Sequence, residues 1–425
     1  MKGYDVIIVG GGASGMMTGI CAARKGLKVL IIDKQKKLGH KIYATGNGKC
    51  NFTNMDIGAQ FYLYNGAASD NHYKKDYYID FVNNFLSVFS NMDTINFFEE
   101  LGVLRYVRDG YVYPSGEQAS SVVLALTREL ERLNVDVNIN EKVCNIKRIK
   151  DKDYLFEILS EYEDDSGKQK KNYKAKNVVI ASGGFAGTEF GCSGDGYIYA
   201  KELGHTIIKP YPSLTYMPII EDKKALKNLK GVRFRGIIKS DELEEKGEMI
   251  FNEIGISGIP VFQLSGRVNR YGLDTIYIDF LPQYEFDFLI SHFEKQKSRM
   301  SENMINELFV GILNDRLANY LINKLGFTNK KLKDLNEKDL KFTVSKIKKF
   351  KFGVDTNNTF AKAQVTTGGV PVDEVDMNTL ESKITKGLYF AGEVLDIDGI
   401  CGGYNLQWAW SSGYMVGKSI KNKYL

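Results

Sequence analysis

The apolar run Val6-Ile7-Ile8-Val9 opens directly into Gly10-Gly11-Gly12-Ala13-Ser14-Gly15, and this junction constrains the fold more than any other feature of the chain. The spacing Gly10-x-Gly12-x-x-Gly15 suits a buried strand that turns sharply into a helix around a pyrophosphate. Each glycine has its own task. Gly10 permits the turn, Gly12 lets phosphate reach backbone N–H groups, and Gly15 lets the helix lie close to the strand. A second apolar run, Leu27-Lys28-Val29-Leu30-Ile31-Ile32, ends in Asp33. An acid about 20 residues past the fingerprint stands where ribose hydroxyls need an acceptor. Strand, helix, strand and acid in register predict a bound dinucleotide.

Beyond Asp33 comes a loop, Leu38 to Asn54, too rich in Gly and Asn for a regular element. Its small residues, amides and hydroxyls can fold around a polar ligand, with Lys41 and Lys49 offsetting phosphate charge. Helical periodicity runs from Tyr77 to Leu101 and from Ala119 to Leu133, and Val135 to Ile149 and Tyr154 to Glu161 alternate like strands. Asn177 to Gly184 reads as a buried parallel strand closing on small residues beside a ligand. From Ser193 through Asp279 the pattern is of short strands broken by turns, and Phe286 to Leu325 reads as helices. A second strand-Gly-acid pattern at Gly387 to Glu393, with a glycine-preceded helix from Asn405 to Ile420, predicts that the C-terminus returns to complete a doubly wound sheet.

Composition narrows the function classes. Five scattered cysteines without a C-x-x-C pair argue against zinc, a disulfide framework or a dithiol centre, so no metal is expected. No apolar stretch approaches the roughly 18 residues of a membrane span. The chain begins at its first strand, and a cytoplasmic protein without a signal peptide is expected. Formal net charge is +5, with lysines crowded between Lys330 and Lys351. That crowding reads as a solvated helical face, and no nucleic acid is expected as a partner.

Several ordered motifs carry a resemblance. They are GGGASG at Gly10 to Gly15, TGNGKCNFTN at Thr45 to Asn54, YPSGEQASSV at Tyr113 to Val122 and SGDGYIYAKELGH at Ser193 to His205. Further along stand GISGIPVFQLS at Gly255 to Ser265, VTTGGV at Val365 to Val370 and LYFAGEVLDIDGICGGYNLQWAWSSG at Leu388 to Gly413. Nearly end to end, the chain resembles the BaiN-like bacterial FAD-dependent flavoproteins, a group that includes 3-dehydro-bile-acid reductases and aminoacetone oxidases. Two departures are Phe185-Ala186-Gly187-Thr188, where the family usually carries Ser and Pro, and His40, where Arg is common.

The resemblance implies an α/β fold: a discontinuous Rossmann-like FAD-binding domain with an inserted β-rich, barrel-like domain and a helical cap. Its segments would be 1–192 and 356–425 for the FAD domain, 193–285 for the β-rich substrate domain and 286–355 for the cap. By motif, Gly12, Ala13 and Ser14 would lie at the pyrophosphate, between Gly10 and Gly15, and Asp33 at the adenosine ribose with Lys34 beside it. Lys41, Thr45, Gly46, Asn47, Gly48 and Asn51 would line the ribityl side, His40 would also contact the cofactor, and Val143 would offer backbone contacts to adenine. Ser182, Gly183, Gly392 and Glu393 complete the expected cofactor set, with Glu393 holding cofactor hydroxyls. Asn405, Leu406 and Gln407 would sit at the pyrimidine edge of the flavin. A helix N-terminus there would stabilise negative charge near flavin N1.

The expected activity is hydride transfer between noncovalent FAD and a small organic substrate. NAD(P)H is a possible transient donor, since only one dinucleotide fingerprint is visible. Reduction of an activated C=C bond and oxidation of a small amine both stay open, as do an RNA-modifying and a non-catalytic flavoprotein. His205, Tyr211, Tyr216 and Glu253 are weak proton-transfer candidates, and the catalytic residue and oligomeric state are not read from sequence.

Overall fold

The computed structural model describes residues 2–63, 75–221, 223–356 and 360–421. It divides into two compact units, Met1–Tyr211 with Gln364–Leu425, and Pro212–Ala363. In the first unit the opening strand Lys2–Val9 pairs in parallel with Val29–Ile32 on one side and with the end of Gly167–Ile180 on the other. Asp136–Asn138 extends the parallel sheet beyond Val29–Ile32. Leu388–Phe390 adds to Gly167–Ile180, also in parallel, so the C-terminal return completes the sheet as the pattern predicts. Glu141–Arg148, Phe156–Asp164 and the first part of Gly167–Ile180 form an antiparallel meander on the same sheet. This is a Rossmann-type mixed α/β fold. The strand at 177–180 lies inside the sheet, between the opening strand and Leu388–Phe390.

The opening helix Ala13–Ala23 and the closing helix Tyr404–Ser419 lie against one another. Two glycines one turn apart allow it: a Cβ on Gly413 would stand 2.5 Å from Ser14 O, and one on Gly417 2.4 Å from Cys21 Cβ. Trp408 and Trp410, each almost wholly buried, fix the closing helix by donating indole N–H to Gly392 O (3.1 Å) and Phe52 O (2.9 Å). The periodicity over 77–101 resolves into two helices, Lys75–Val88 and Asn91–Glu100. Ser90 and Asp93 form a reciprocal capping box there, which starts a new helix instead of prolonging the old one.

The second unit holds a six-stranded antiparallel sheet of Met217–Pro218, Gly255–Ser257, Leu243–Phe251, Arg233–Ser240, Thr275–Asp279 and Phe350–Gly353, in that spatial order. An antiparallel bridge Ile219↔Val354 joins its two edges, so the sheet curls into a barrel-like form. Strands 233–240 and 243–251 alternate strictly, with Phe234, Ile238, Met249 and Phe251 buried. The helices Phe286–Arg299, Asp315–Lys324 and Glu337–Lys348 contribute Phe293, Leu321 and Ile347 to the same core. Barrel and helices are therefore one unit, not two.

Two details differ from the sequence expectations. Residues 193–211, including the helix Asp195–Glu202, belong to the first unit. The segment read as short strands also contains the helix Ile259–Tyr271, started by Gly258 and Pro260 where a proline is tolerated in the first turn. Of the nine lysines from Lys330 to Lys351, four reach carboxylates (Lys331 and Lys333 on Glu302, Lys341 on Glu337, Lys348 on Asp279) and three lie over rings. Four of these nine charges are thus offset by carboxylates of the second unit, in keeping with a solvated helical face. Among the described residues no helix is long and apolar enough to cross a membrane.

Candidate functional site

All of the predicted cofactor residues fall in the first unit. The three fingerprint glycines separate by what a side chain would meet. A Cβ on Gly10 (φ +108°) would lie 2.5 Å from Ala181 O, and one on Gly15 1.9 Å from Gly10 O, both backbone atoms. A Cβ on Gly12 would meet nothing within 4 Å. Gly10 and Gly15 are thus required by the protein's own packing, whereas at Gly12 the protein leaves space. Gly12 is also the N-cap of the opening helix and provides no side-chain cap, and no acidic side chain lies in the first turn. The first-turn amides, without partners inside the helix, face that space with the positive end of the helix dipole.

Asp33 stands beside this turn. Its carboxylate accepts from the N–H of Gly11 (2.6 Å) and of Gln35 (2.7 Å), which leaves further lone pairs for an incoming hydroxyl. Burial raises its pKa, opposed by those two amides and by Lys34 and His40. Lys34 itself turns to Asp195 and Ser193, tying the Asp33 loop to the helix Asp195–Glu202. Tyr199 of that helix donates to the carbonyl of Val143 (2.5 Å), beside a bulge in strand Glu141–Arg148. His40 contacts Gln35 Oε1 (3.3 Å) through Nδ1 and packs edge-on to Phe190.

The loop after Asp33 is a chain of left-handed residues, Gly46, Asn47 and Gly48, followed by Cys50, with Thr45 Oγ1 bonded to Ile42 O (2.7 Å). Its end is stitched to the start of the closing helix. Thr53 Oγ1 donates to Gln407 Oε1 (2.5 Å), and Asn54 Nδ2 to Gly402 O (2.9 Å). Asn51 Oδ1, which accepts from Val112 N–H (3.2 Å), would lie 3.0 Å from a Cβ on Gly403. The fold therefore joins segments far apart in sequence: Thr53 and Gln407 are separated by 354 residues.

The side chain of Gln407 turns inward. It is fully buried, accepting from Thr53 and Thr94 and donating to Phe89 O and Ser411 Oγ, while its backbone N–H bonds Gly403 O (2.9 Å). Asn405 likewise spends its amide on the backbone of Gly399, in both directions at 2.8 Å, while Leu406 stays half-buried. These two amides hold the helix entrance in shape.

Glu393 and Lys41 form an ion pair at 2.7 Å, and the other Glu393 oxygen accepts from Thr366 N–H (2.8 Å). Burial works against the charge on Lys41, but the Glu393 carboxylate prevails and holds the ammonium above its ordinary range. Neighbouring Gly392 (φ +76°) would place a Cβ 2.5 Å from Ser14 Oγ, so the Gly392-Glu393 turn touches the first turn of the opening helix. Ser182 and Gly183 end the strand Gly167–Ile180, and Ser182 Oγ is buried without a hydrogen-bond partner. Thr366, whose Oγ1 accepts from the N–H of Phe185 and Ala186 (2.9 Å each), and Ser412, which accepts from Gly392 N–H (2.9 Å), were not singled out as site residues. Both lie in the motifs VTTGGV and WAWSSG, which were the available signal.

The weak proton-transfer candidates disperse. His205 is buried between Glu374 (Nδ1, 2.8 Å) and Ser382 (Nε2, 2.7 Å) in the first unit, where desolvation lowers its pKa against the pull of Glu374. Tyr211 ends a segment of the first unit under Lys209, and Glu253 in the second is an exposed partner of Lys230 at 2.5 Å. Tyr216, half-buried, also lies in the second unit. Phe251 is in the second unit's core. The five cysteines are free; Cys21 and Cys50 are buried, and burial pushes both thiols up to about 12.

With this geometry in view, comparison with known proteins gives a family: the HI0933-like protein Rossmann domain matches residues 4–419. The chain belongs to this family. The HI0933-like chain is 33% identical to the 3-dehydro-bile acid delta(4,6)-reductase of Clostridium scindens, over 98% of each protein. It is 29% identical to the ribosomal RNA dihydrouridine synthase of Haemophilus influenzae, again over 98% of each. In fold it is similar to the 3-ketosteroid delta1-dehydrogenase of Sterolibacterium denitrificans, with a TM-score of 0.53, 14% identity and 99% of each chain covered.

Proposed function

We propose that the protein is an FAD-dependent oxidoreductase that reduces a C=C bond conjugated to a carbonyl. The observation that carries the cofactor assignment is the space at Gly12, where bare helix amides meet a void that no protein atom fills, with the Asp33 carboxylate beside it. A pyrophosphate fits the first and an adenosine ribose the second. FMN lacks the half that Asp33 would hold. Gly12, Ala13 and Ser14 would bind the pyrophosphate by backbone, Asp33 the ribose, and Glu393 with Lys41 the remaining hydroxyls and phosphate charge. Bound there, FAD supplies a hydride acceptor and donor that no protein side chain can replace.

The direction of reaction is supported by the relatives' names. A 3-dehydro-bile acid delta(4,6)-reductase and a dihydrouridine synthase differ in substrate size. Both names describe saturation of a C=C bond conjugated to a carbonyl, where hydride adds at the carbon remote from the oxygen. NAD(P)H is proposed as the electron source, docking transiently. The test is anaerobic. The released cofactor should have the mass of FAD, and NADH or NADPH should bleach the flavin. A conjugated cyclic enone should then restore its colour. Bleaching by small amines with no response to either nicotinamide would overturn the reductase reading in favour of an oxidase.

A further inference from the structure

A short sheet in the first unit brings two tyrosines beside the segments assigned to the cofactor. Asp109 and Gly110, both at positive φ (52° and 82°), form the two-residue turn that matches the twist of paired strands. Arg105–Arg108 and Tyr111–Pro114 therefore pair with Tyr111 opposite Arg108 and Tyr113 opposite Tyr106. The strand Tyr111–Pro114 also pairs with Thr53–Asn54. Within it Val112 is wholly buried, and the period of two turns Tyr111 and Tyr113 to the opposite face, where both are half-buried.

The hairpin is bound to the cofactor loops. Asn51, from the loop expected along the ribityl side, accepts from Val112 N–H (3.2 Å), and Phe52 N–H donates to Val112 O (2.9 Å). A Cβ on Gly46 of that loop would lie 3.7 Å from Tyr113 Cε1. At the entrance of the closing helix, a Cβ on Gly402 would lie 3.2 Å from Tyr111 Cε1, and one on Gly403 3.0 Å from Asn51 Oδ1. Loop, hairpin and helix entrance thus meet at Asn51, with Tyr111 on the side where the pyrimidine edge of the flavin is expected. The two phenols differ in what they touch. Arg108 stands over Tyr113, its guanidinium 5.5 Å from the ring centroid. The Tyr111 hydroxyl has no hydrogen-bond partner among the described residues. Burial, and then Cys401, Tyr113 and Asp109, raise its pKa, so the proton is in place at neutral pH.

Saturating a conjugated C=C bond takes a hydride at the carbon remote from the carbonyl and a proton at the carbon beside it. We propose that Tyr111 is the acid that delivers this proton. Its role rests on the proposed function, which supplies the hydride. As the hydride arrives with its electron pair, the C=C pair shifts toward the carbonyl oxygen. The O–H bond of Tyr111 then breaks, its proton forms the new C–H bond beside the carbonyl, and water returns a proton to the phenol oxygen. The substrate gains two hydrogens and two electrons, and both electrons come from the reduced cofactor. A phenol suits the task because it keeps its proton at neutral pH until an enolate, the stronger base, forms beside it.

The test bypasses the nicotinamide. Parent and Tyr111→Phe protein are loaded with FAD, titrated to full reduction with dithionite without oxygen, and mixed with cyclohex-2-enone while the return of flavin colour is timed. Loss of the acid should slow that return by about 10²–10⁴-fold. FAD affinity should match the parent, as should reoxidation by ferricyanide, which takes electrons and needs no proton on carbon. Enone binding to the oxidised protein, read as a shift of the flavin band, should weaken by up to about tenfold, the worth of one neutral hydrogen bond. Tyr111→His, which restores a proton donor, should recover part of the rate. The thermal midpoint of Tyr111→Phe should equal the parent's, since no protein group loses a partner; if it falls, Tyr111→Met takes its place. A Tyr111→Phe protein that the enone reoxidises as fast as the parent, or that ferricyanide reoxidises equally slowly, would overturn this role and leave the proposed function standing. A reduced parent that no conjugated enone reoxidises would overturn both.

Discussion

Gly12→Ala and Gly15→Ala change one hydrogen to one methyl within the same six-residue turn and should have opposite consequences. At Gly15 the new carbon would stand 1.9 Å from Gly10 O, and since both partners are backbone, helix and strand must separate. Overpacking of this kind costs about 1–3 kcal/mol or more, so the apoprotein itself should be destabilised. At Gly12, φ −79° and ψ −166° are ordinary extended values and the new carbon meets nothing within 4 Å. Alanine is merely a poorer N-cap than glycine, a cost below about 1 kcal/mol. The methyl would, however, fill the space assigned to pyrophosphate and separate it from one or two helix amides. Hydrogen bonds to charged groups are worth about 1.5–3 kcal/mol each. A loss of about 2–4 kcal/mol weakens FAD binding roughly 30- to 700-fold at a decade per 1.4 kcal/mol. Apoprotein unfolding in urea and flavin titration followed by fluorescence separate the two effects. A Gly12→Ala protein that binds FAD as tightly as the parent would refute the assignment of that space. One as unstable as Gly15→Ala would refute the packing argument.

Gly413→Ala should loosen the contact between the opening and closing helices, because its Cβ would lie 2.5 Å from Ser14 O; a loss of about 1–3 kcal/mol is expected in urea unfolding. His205 is held neutral by desolvation, its folded pKa below the unfolded value of about 6.5. Its contribution to stability is complete above that value and is lost as pH falls through the folded pKa, so stability should decline below about pH 6.5. A His205→Gln variant should show a shallower decline, and an identical pH profile would exclude His205 as its source. His205→Ala should cost about 3 kcal/mol, from two buried hydrogen bonds and the ring's packing on Phe390. Acid precipitation should give a colourless pellet and a yellow supernatant: Cys50 is wholly buried with its thiol raised to about 12, and His40 is engaged with Gln35. A yellow pellet would point to a covalent flavin link.

Local chemistry made much of this molecule legible in its sequence. The strand-turn-helix at Val6 to Gly15, Asp33 after the second strand, and the helix behind Gly403 are each specified within a few residues, by backbone freedom, apolar runs and capping. The break at Ser90 and the helix behind Gly258 and Pro260 were equally local, encoded in a capping box and a first-turn proline. Long-range pairing was not legible. Nothing in the letters says that Gln407 turns inward to Thr53, that Lys41 meets Glu393, or that Lys331 and Lys333 share Glu302. Pattern along a chain fixes which face of an element is apolar, because helices and strands repeat over a few residues. Which polar group satisfies which depends on elements hundreds of residues apart arriving within 3 Å, and only the packed tertiary structure decides that.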